Sequence, residues 1–304
     1  MKLNAWGSSV IRKELVTWKA AGRFLLAFFT MLGFVSAILT VLGWFGIDAG
    51  KQLPFSIHPG SAVSILAGVA LAYAARSSWP MWRCSATLHR RECTVSVELN
   101  DVFATRDAVV IPVTSTLDVD CDKVIGPDSV LGAFVARYYQ RWQDLESQIG
   151  DALASRTDLS SSTQSCWGAP EYPLGTCLKV DAKGRTFFLL VASKRNESGQ
   201  AEVLPNELWE ALAGFFEFLK VRGNYMGGLR MPVFGKGYGR LKLTTEDVVR
   251  ETIALFVSAC SDKRLLSSLT VVIFPKNNRE HPVDMRRIHA YLTDQCELPV
   301  WSSG

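Results

Sequence analysis

The sequence contains no C-x-x-C pair, although seven cysteines (Cys84, Cys93, Cys121, Cys166, Cys177, Cys260 and Cys296) are spread along it. That scatter excludes the usual zinc-binding spacings and a secreted disulfide framework, and it fits a reducing compartment. Histidine is scarce as well: His58, His89, His281 and His289 show no metal-ligand spacing, so no metal site is expected. A strong charge of one sign is also missing. The 33 Lys and Arg barely exceed the 29 Asp and Glu, and the basic residues gather around apolar segments rather than along a face that tracks phosphates. A nucleic-acid partner is therefore not expected. Neither a G-x-x-x-x-G-K-[ST] loop nor a G-x-G-x-x-G after a strand occurs, which excludes a P-loop and a dinucleotide-binding βαβ unit.

Charge is entirely absent from residues 24–47, FLLAFFTMLGFVSAILTVLGWFGI, and about 20 apolar residues suffice to cross a hydrocarbon core roughly 30 Å thick. A second stretch, residues 55–75, is interrupted by His58 and Pro59 but uncharged over 61–75, with Tyr73, Trp79 and Trp82 suited to an interface. The two predict a transmembrane hairpin. Lys2, Arg12, Lys13, Lys19 and Arg23 precede it, Arg76, Arg83, Arg90 and Arg91 follow it, and only Lys51 lies between. Both ends are thus expected in the cytoplasm. The competing reading, a cleaved signal peptide, suits neither the length of the run nor the lack of a small-residue cleavage site. Gly33, Ala37, Thr40 and Gly43, and likewise Gly60, Ser64, Gly68 and Ala72, form small-residue stripes. Such stripes let helix backbones approach, within the hairpin or between subunits. No ionisable residue sits deep in either span, which suits an anchor or one piece of an oligomer rather than a transporter.

This divides the chain into an N-terminal cytoplasmic segment (1–23), the hairpin (24–75), a basic linker (76–91) and a soluble domain (92–304). In that domain, apolar alternation or continuous apolar runs predict strands at 94–99, 108–113, 186–192, 229–233 and 269–274. Helical spacing covers 130–149, 206–221 with Asn206 as N-cap, 245–260 with Thr245 as cap, and 282–292. Residues 158–168, rich in Ser and Thr, read as a loop. Strands alternating with helices imply an α/β fold, with a mostly parallel or mixed sheet covered on both faces.

Three loops carry the chemistry. In MPVFGKGYGR (231–240) a strand runs into Gly235, Gly237 and Gly239 ahead of a helix. This arrangement lets backbone N–H groups approach an anion, with charge added by Lys236 and Arg240; the alternative is a plain strand-to-helix turn. Pro173-Leu174-Gly175-Thr176 precedes the third predicted strand, and Asn100-Asp101 follows the first, where an Asp often simply makes a turn.

Taken in order, these pieces resemble the macro domain, whose members bind ADP-ribose in a three-layer α/β/α fold with a mixed sheet. The resemblance covers about residues 92–300. It implies that Asp101 reads the adenine amine with Val102 beside it, and that Val113, Thr114 and Ser115 end the strand lining the distal ribose. Residues 126–132, with Ser129, resemble the first ligand loop, and Leu174, Gly175 and Thr176 the proline-glycine loop. Phe234, Gly235, Lys236, Gly237 and Tyr238, continued by Gly239 and Arg240, would wrap the diphosphate. Hydrolytic members carry an Asn after the second strand, where Thr114 and Ser115 stand here. The resemblance therefore implies binding without catalysis, with an ADP-ribose derivative as ligand and no cofactor. A macro domain behind two spans resembles the membrane-anchored effectors of bacterial Thoeris anti-phage defence. There a TIR-domain enzyme makes an ADP-ribose-derived signal from NAD, and the effector, a homo-oligomer in the inner membrane, disrupts the lipid bilayer. A membrane-tethered ADP-ribosyl hydrolase and a non-catalytic scaffold are the alternatives.

Overall fold

The computed structural model describes residues 18–44, 68–74, 81–88, 91–122, 125–156, 159, 163–164, 170–196, 200–235, 241–261, 263–275 and 282–297. They fall into two units, divided between Met81 and Trp82.

The first unit contains helix α1 (Trp18–Trp44), 27 residues with no charge after Arg23. At 1.5 Å per residue it is about 40 Å long. Leu, Phe, Ala and Met dominate it, no proline interrupts it, and the hydroxyls of Thr30 and Thr40 donate back to Leu26 and Ser36 carbonyls at 2.8 and 2.9 Å. Residues 68–74 are also helical, with Ala70 and Ala74 buried. Side chains along α1 are described without a break only from residue 24 to 34. On the described residues no helix is long and apolar enough to cross a membrane. The expected hairpin is therefore not shown, and residues 45–67, with its loop and part of its second helix, lie outside the described residues.

The second unit is built on strands β1 (Arg83–Leu88), β2 (Cys93–Leu99), β3 (Ala108–Thr114), β6 (Cys177–Ala182), β7 (Arg185–Arg195), β9 (Gly228–Pro232) and β10 (Ser268–Ile273). Two-residue strands β4 (Thr163–Gln164) and β5 (Pro170–Glu171) pair with each other, and β8 (Ala201–Glu202) extends β7. The sheet order is β1-β2-β10-β9-β3-β7-β6. The five inner strands are parallel, and β1 and β6 are antiparallel to their neighbours at the two edges. This is a mixed sheet, as expected. The inner strands are apolar runs because both of their faces are covered; β3, AVVIPVT, is buried from Ala108 to Ile111.

Helices α2 (Val130–Tyr138), α3 (Trp142–Ala154), α4 (Pro205–Val221), α5 (Thr245–Ala259) and α6 (Met285–Glu297) cover the sheet. Adjacent residues of β7 point to opposite faces and hold a helix on each. Phe187 meets Phe134 and Tyr138 of α2 with ring centroids 4.5 Å apart. Phe188 meets Phe215 of α4 at 5.9 Å. Helix α4 packs on α5, α5 on α6, and α6 on β1.

Several expectations need correction. Residues 83–88, placed in a basic linker, form β1, because Cys84 and Leu88 are buried on an edge strand too short to show an alternation. The helix expected over 130–149 is two helices, since Tyr139 and Arg141 are extended, a break that spacing cannot reveal. Helix α4 starts at Pro205 with Leu204 as its N-cap residue, whose N–H donates to Glu207 at 3.0 Å, so Asn206 is not the cap. Thr244 rather than Thr245 caps α5, its hydroxyl accepting from Asp247 N–H at 3.1 Å. Strand β6 was not expected, because LKVDA alternates too briefly.

Candidate functional site

The sheet itself opens a crevice. Strand β3 pairs with β7 at six positions from Val109 to Thr114, and β9 pairs with β10 at five. Between β3 and β9, however, only Ala108↔Leu229 and Val109↔Arg230 are paired. Beyond them the ladder stops, and the strands part toward their carboxyl ends. The chain leaves β3 toward β7 on one side and leaves β9 toward β10 on the other. The parting therefore coincides with the switch point at which open α/β sheets place ligands.

One lip of the crevice is Val113, Thr114 and Ser115. The β3–β7 register shifts between Val113 and Thr114. Ser115 is then fixed by its backbone: its N–H donates to Ser193 O at 2.8 Å and its carbonyl accepts from Tyr172 N–H at 2.8 Å. The Ser115 hydroxyl, in a residue only 1% exposed, has no hydrogen-bond partner among the described residues. A buried, unpaired hydroxyl costs about 1–3 kcal/mol, so it calls for a partner such as a ligand oxygen or a water. The lip continues to Ser129, which caps α2 by accepting from Gly132 N–H at 2.9 Å. A side chain at Gly132 would lie 2.5 Å from the Gly126 carbonyl, so this loop closes tightly on itself.

The other lip is the turn after β9. Gly235 has φ +74°, and a Cβ there would lie 2.6 Å from Leu241. Leu241 N–H donates to Gly235 O at 2.9 Å. Phe234, 2% exposed, fills the core beneath it. Lys236, Gly237, Tyr238, Gly239 and Arg240 lie outside the described residues.

Asp101 stands at the end of the same sheet edge. Val233 N–H donates to Val272 O and Asn100 N–H to Ile273 O, at 3.2 and 3.1 Å, so the ends of β9, β10 and β2 are consecutive. Two strand spacings, about 10 Å, separate β2 from β9. The Asp101 carboxylate is not vacant: one oxygen accepts from Phe103 N–H at 3.0 Å and the other pairs with Arg137 at 2.8 Å. Gly175, in the proline-glycine loop, has a packing role. Its φ is +81°, and a Cβ would lie 2.9 Å from the Gly214 Cα of α4. Leu174 and Thr176 beside it are buried.

Sequence reasoning missed the group that holds the Asp101 turn. Arg230, 2% exposed on β9, donates from Nε to Val102 O at 3.0 Å and from Nη2 to Asp101 O at 3.2 Å, and it pairs through Nη1 with Glu98 of β2 at 3.3 Å. The signal was there: Arg230 and Glu98 are lone charges in apolar strands. Phe274 was missed too. It follows β10, whose Ile273 carbonyl accepts from Asn100 N–H, and it is an aromatic residue left 44% exposed at this end of the sheet.

A mixed sheet in this order, parted at its switch point between a glycine turn and a serine-ended strand, defines a macro-type α/β domain. The family model described as Thoeris protein ThsA, Macro domain, matches residues 95–274, more than half the chain. The chain belongs to that family. Among solved structures it is similar to the Oceanobacillus iheyensis macrodomain with ADP. The identity is 13% over 68% of this chain and 96% of that one, and the TM-score is 0.42. It is similar also to the Trypanosoma brucei macrodomain in complex with ADP-ribose, at 14% over 67% and 80%, with a TM-score of 0.40. No curated protein matches it.

Proposed function

We propose that this chain is a membrane-anchored effector of anti-phage defence whose macro domain binds an ADP-ribose-derived signal made by a TIR-domain enzyme. The observation that carries the reading is the parted crevice, with the unpartnered Ser115 hydroxyl on one lip and the Gly235 turn on the other, in a chain of the ThsA macro family. Asp101 and Phe274 would take the base, the turn over 234–240 the diphosphate, and residues 113–115 the distal ribose. The anchor rests on the uncharged run of residues 24–47, on the unbroken helix α1, and on its exposed Leu25, Leu26, Phe29 and Phe34. The protein would lie in the bacterial inner membrane with its macro domain in the cytoplasm. Ligand binding shifts assembly only by its differential affinity for the two states. The signal would therefore close the crevice loops in the assembling form, and the small-residue stripes would then pack helices of neighbouring subunits and breach the bilayer.

Calorimetric titration of the full chain with ADP-ribose tests the ligand. Asp101→Ala and Gly237→Glu should each weaken binding at least tenfold, and wild-type heat with both would sink the site. Incubation with an ADP-ribosylated protein separates the hydrolase reading, by release of ADP-ribose, and a bare scaffold binds no nucleotide at all.

A further inference from the structure

A second cleft lies at the other end of the sheet. It is formed by the β2–β3 loop (Phe103 and Arg106), the C-terminal end of α2 (Tyr138) and the β6–β7 turn (Lys183 and Arg185), and its volume is about 500 Å³. Arg185 starts β7, and β3 and β7 then run parallel for their whole paired length before reaching Thr114. Seven residues of strand, about 20 Å, therefore separate this cleft from the Thr114 lip, while Phe103, whose N–H donates to Asp101 at 3.0 Å, adjoins the Asp101 end of the crevice. We propose that it is a second ligand site, one that takes the phosphate group of a small phosphomonoester.

The chemistry of the lining points to an oxyanion. Three of its side chains are cationic and none is a carboxylate; Arg and Lys offer only donors. Arg185 is 9% exposed and held rigidly: Nε donates to Asp107 O at 2.7 Å, and Nη1 donates to the Tyr138 hydroxyl at 2.7 Å. Its remaining nitrogen, Nη2, is buried without a partner among the described residues. Nη1 donates also to Phe103 O at 3.4 Å, so Nη2 is the one guanidinium nitrogen left over, able to donate to a single further acceptor oxygen.

Lys183 is placed at some conformational cost. It has φ +49° and Gly184 φ +71°, both in the left-handed region, in a two-residue hairpin turn that normally prefers Asn-Gly. The strained residue is the one whose ammonium reaches over the cleft. Its Nζ donates to Arg137 O at 2.6 Å and lies 5.9 Å from the centre of the Tyr138 ring. Of the nearby acids, Asp107 has its carboxylate engaged by the Thr105 hydroxyl at 2.8 Å, and Asp101 is held by Phe103 N–H at 3.0 Å and by Arg137 at 2.8 Å. The volume exceeds that of a bare phosphate, and the Phe103 and Tyr138 rings leave an apolar wall for an organic remainder.

The test is calorimetric titration of the full chain with inorganic phosphate at constant ionic strength. Lys183→Asn keeps the hairpin turn, since Asn-Gly is its preferred pair, and Arg106→Gln changes an exposed residue, so neither should disturb folding. Each is expected to weaken phosphate binding about three- to tenfold, and the double variant to abolish this site. Phosphate taken by the glycine turn would survive in that double variant and be lost in Gly237→Glu, so failure here and failure of the nucleotide reading are distinct results. No saturable heat with the wild type, or wild-type affinity and stoichiometry in the double variant, overturns the proposal. Phosphatidylcholine vesicles containing phosphatidic acid separate two sources of the group: displacement of bound phosphate marks a lipid headgroup, and retention marks a soluble phosphomonoester.

Discussion

Replacing Arg230 with Met should be among the most damaging single changes in the domain. The guanidinium is 2% exposed and makes three contacts, to Val102 O, Asp101 O and Glu98. A methionine fills much of the same space but makes none of them. Two carbonyls of the Asp101 turn lose their donor, and Glu98, whose side chain is 8% exposed, keeps only the Asn100 amide at 2.5 Å. Removing one partner of a buried ion pair typically costs about 3–5 kcal/mol, mostly because the other charge stays buried and unpaired. For a domain of this size 1 kcal/mol moves the melting temperature by about 2–4 °C, so a fall of roughly 6–20 °C is expected. Glu98→Leu added to Arg230→Met removes the stranded carboxylate and should restore about half of that loss, roughly 2 kcal/mol. Melting of the four proteins of this cycle, followed by far-ultraviolet dichroism, gives the answer. A single variant within about 1 kcal/mol of wild type, or a double variant no better than Arg230→Met, would show that the pair does not hold the turn.

Three further outcomes follow from the geometry. Gly175→Ala sets a Cβ 2.9 Å from the Gly214 Cα and asks an alanine to hold φ +81°, so it should destabilise by about 2–4 kcal/mol, read as a lower urea midpoint. Arg137→Gln breaks a pair about one-third exposed and should cost less than about 1 kcal/mol, but it frees an Asp101 oxygen. ADP-ribose affinity should rise in that variant, and an unchanged or lower affinity would mean that Arg137 does not compete for the carboxylate proposed to read the base. Burial, with smaller help from Cys260, pushes the Cys93 thiol from its ordinary value of 9.0 up to about 12. The folded state therefore holds this proton where the unfolded state has lost it. The resulting stability is complete below pH 9 and disappears as pH rises toward 12. Cys93→Ala should flatten that decline in a melting series against pH, and an identical slope in both proteins would refute the assignment.

The parallel core was legible because its strands are covered on both faces and so are written as apolar runs, AVVIPV and LTVVIF among them. The α/β class followed from their alternation with amphipathic helices. The edge strands were not legible. Strand β1 buries only Cys84 and Leu88, and β6 buries four of six residues, because an edge needs fewer apolar contacts than an inner strand. The break at Tyr139–Arg141 was equally hidden, since it is set by where α2 meets Phe187 and where Lys183 reaches the Arg137 carbonyl. In the candidate site, glycine spacing and an Asp after a strand were visible as residue types. Nothing in their spacing indicated that Gly175 would lie against Gly214 or that Ser129 would be spent on a helix cap.

The sequence by itself determined which segments form the inner sheet, that residues 24–47 carry no charge, and that a glycine turn follows one of the core strands. These are local properties, decided by hydrophobic period and by backbone freedom at single residues. Only the tertiary structure decided that β3 and β9 part after two residue pairs, that Arg230 reaches across the sheet to hold the Asp101 turn, and that Arg137 occupies the Asp101 carboxylate. Each of those joins residues roughly 35 to 130 positions apart in the chain, and such contacts are selected by how helices and strands pack once the core has closed rather than by any pattern along the sequence.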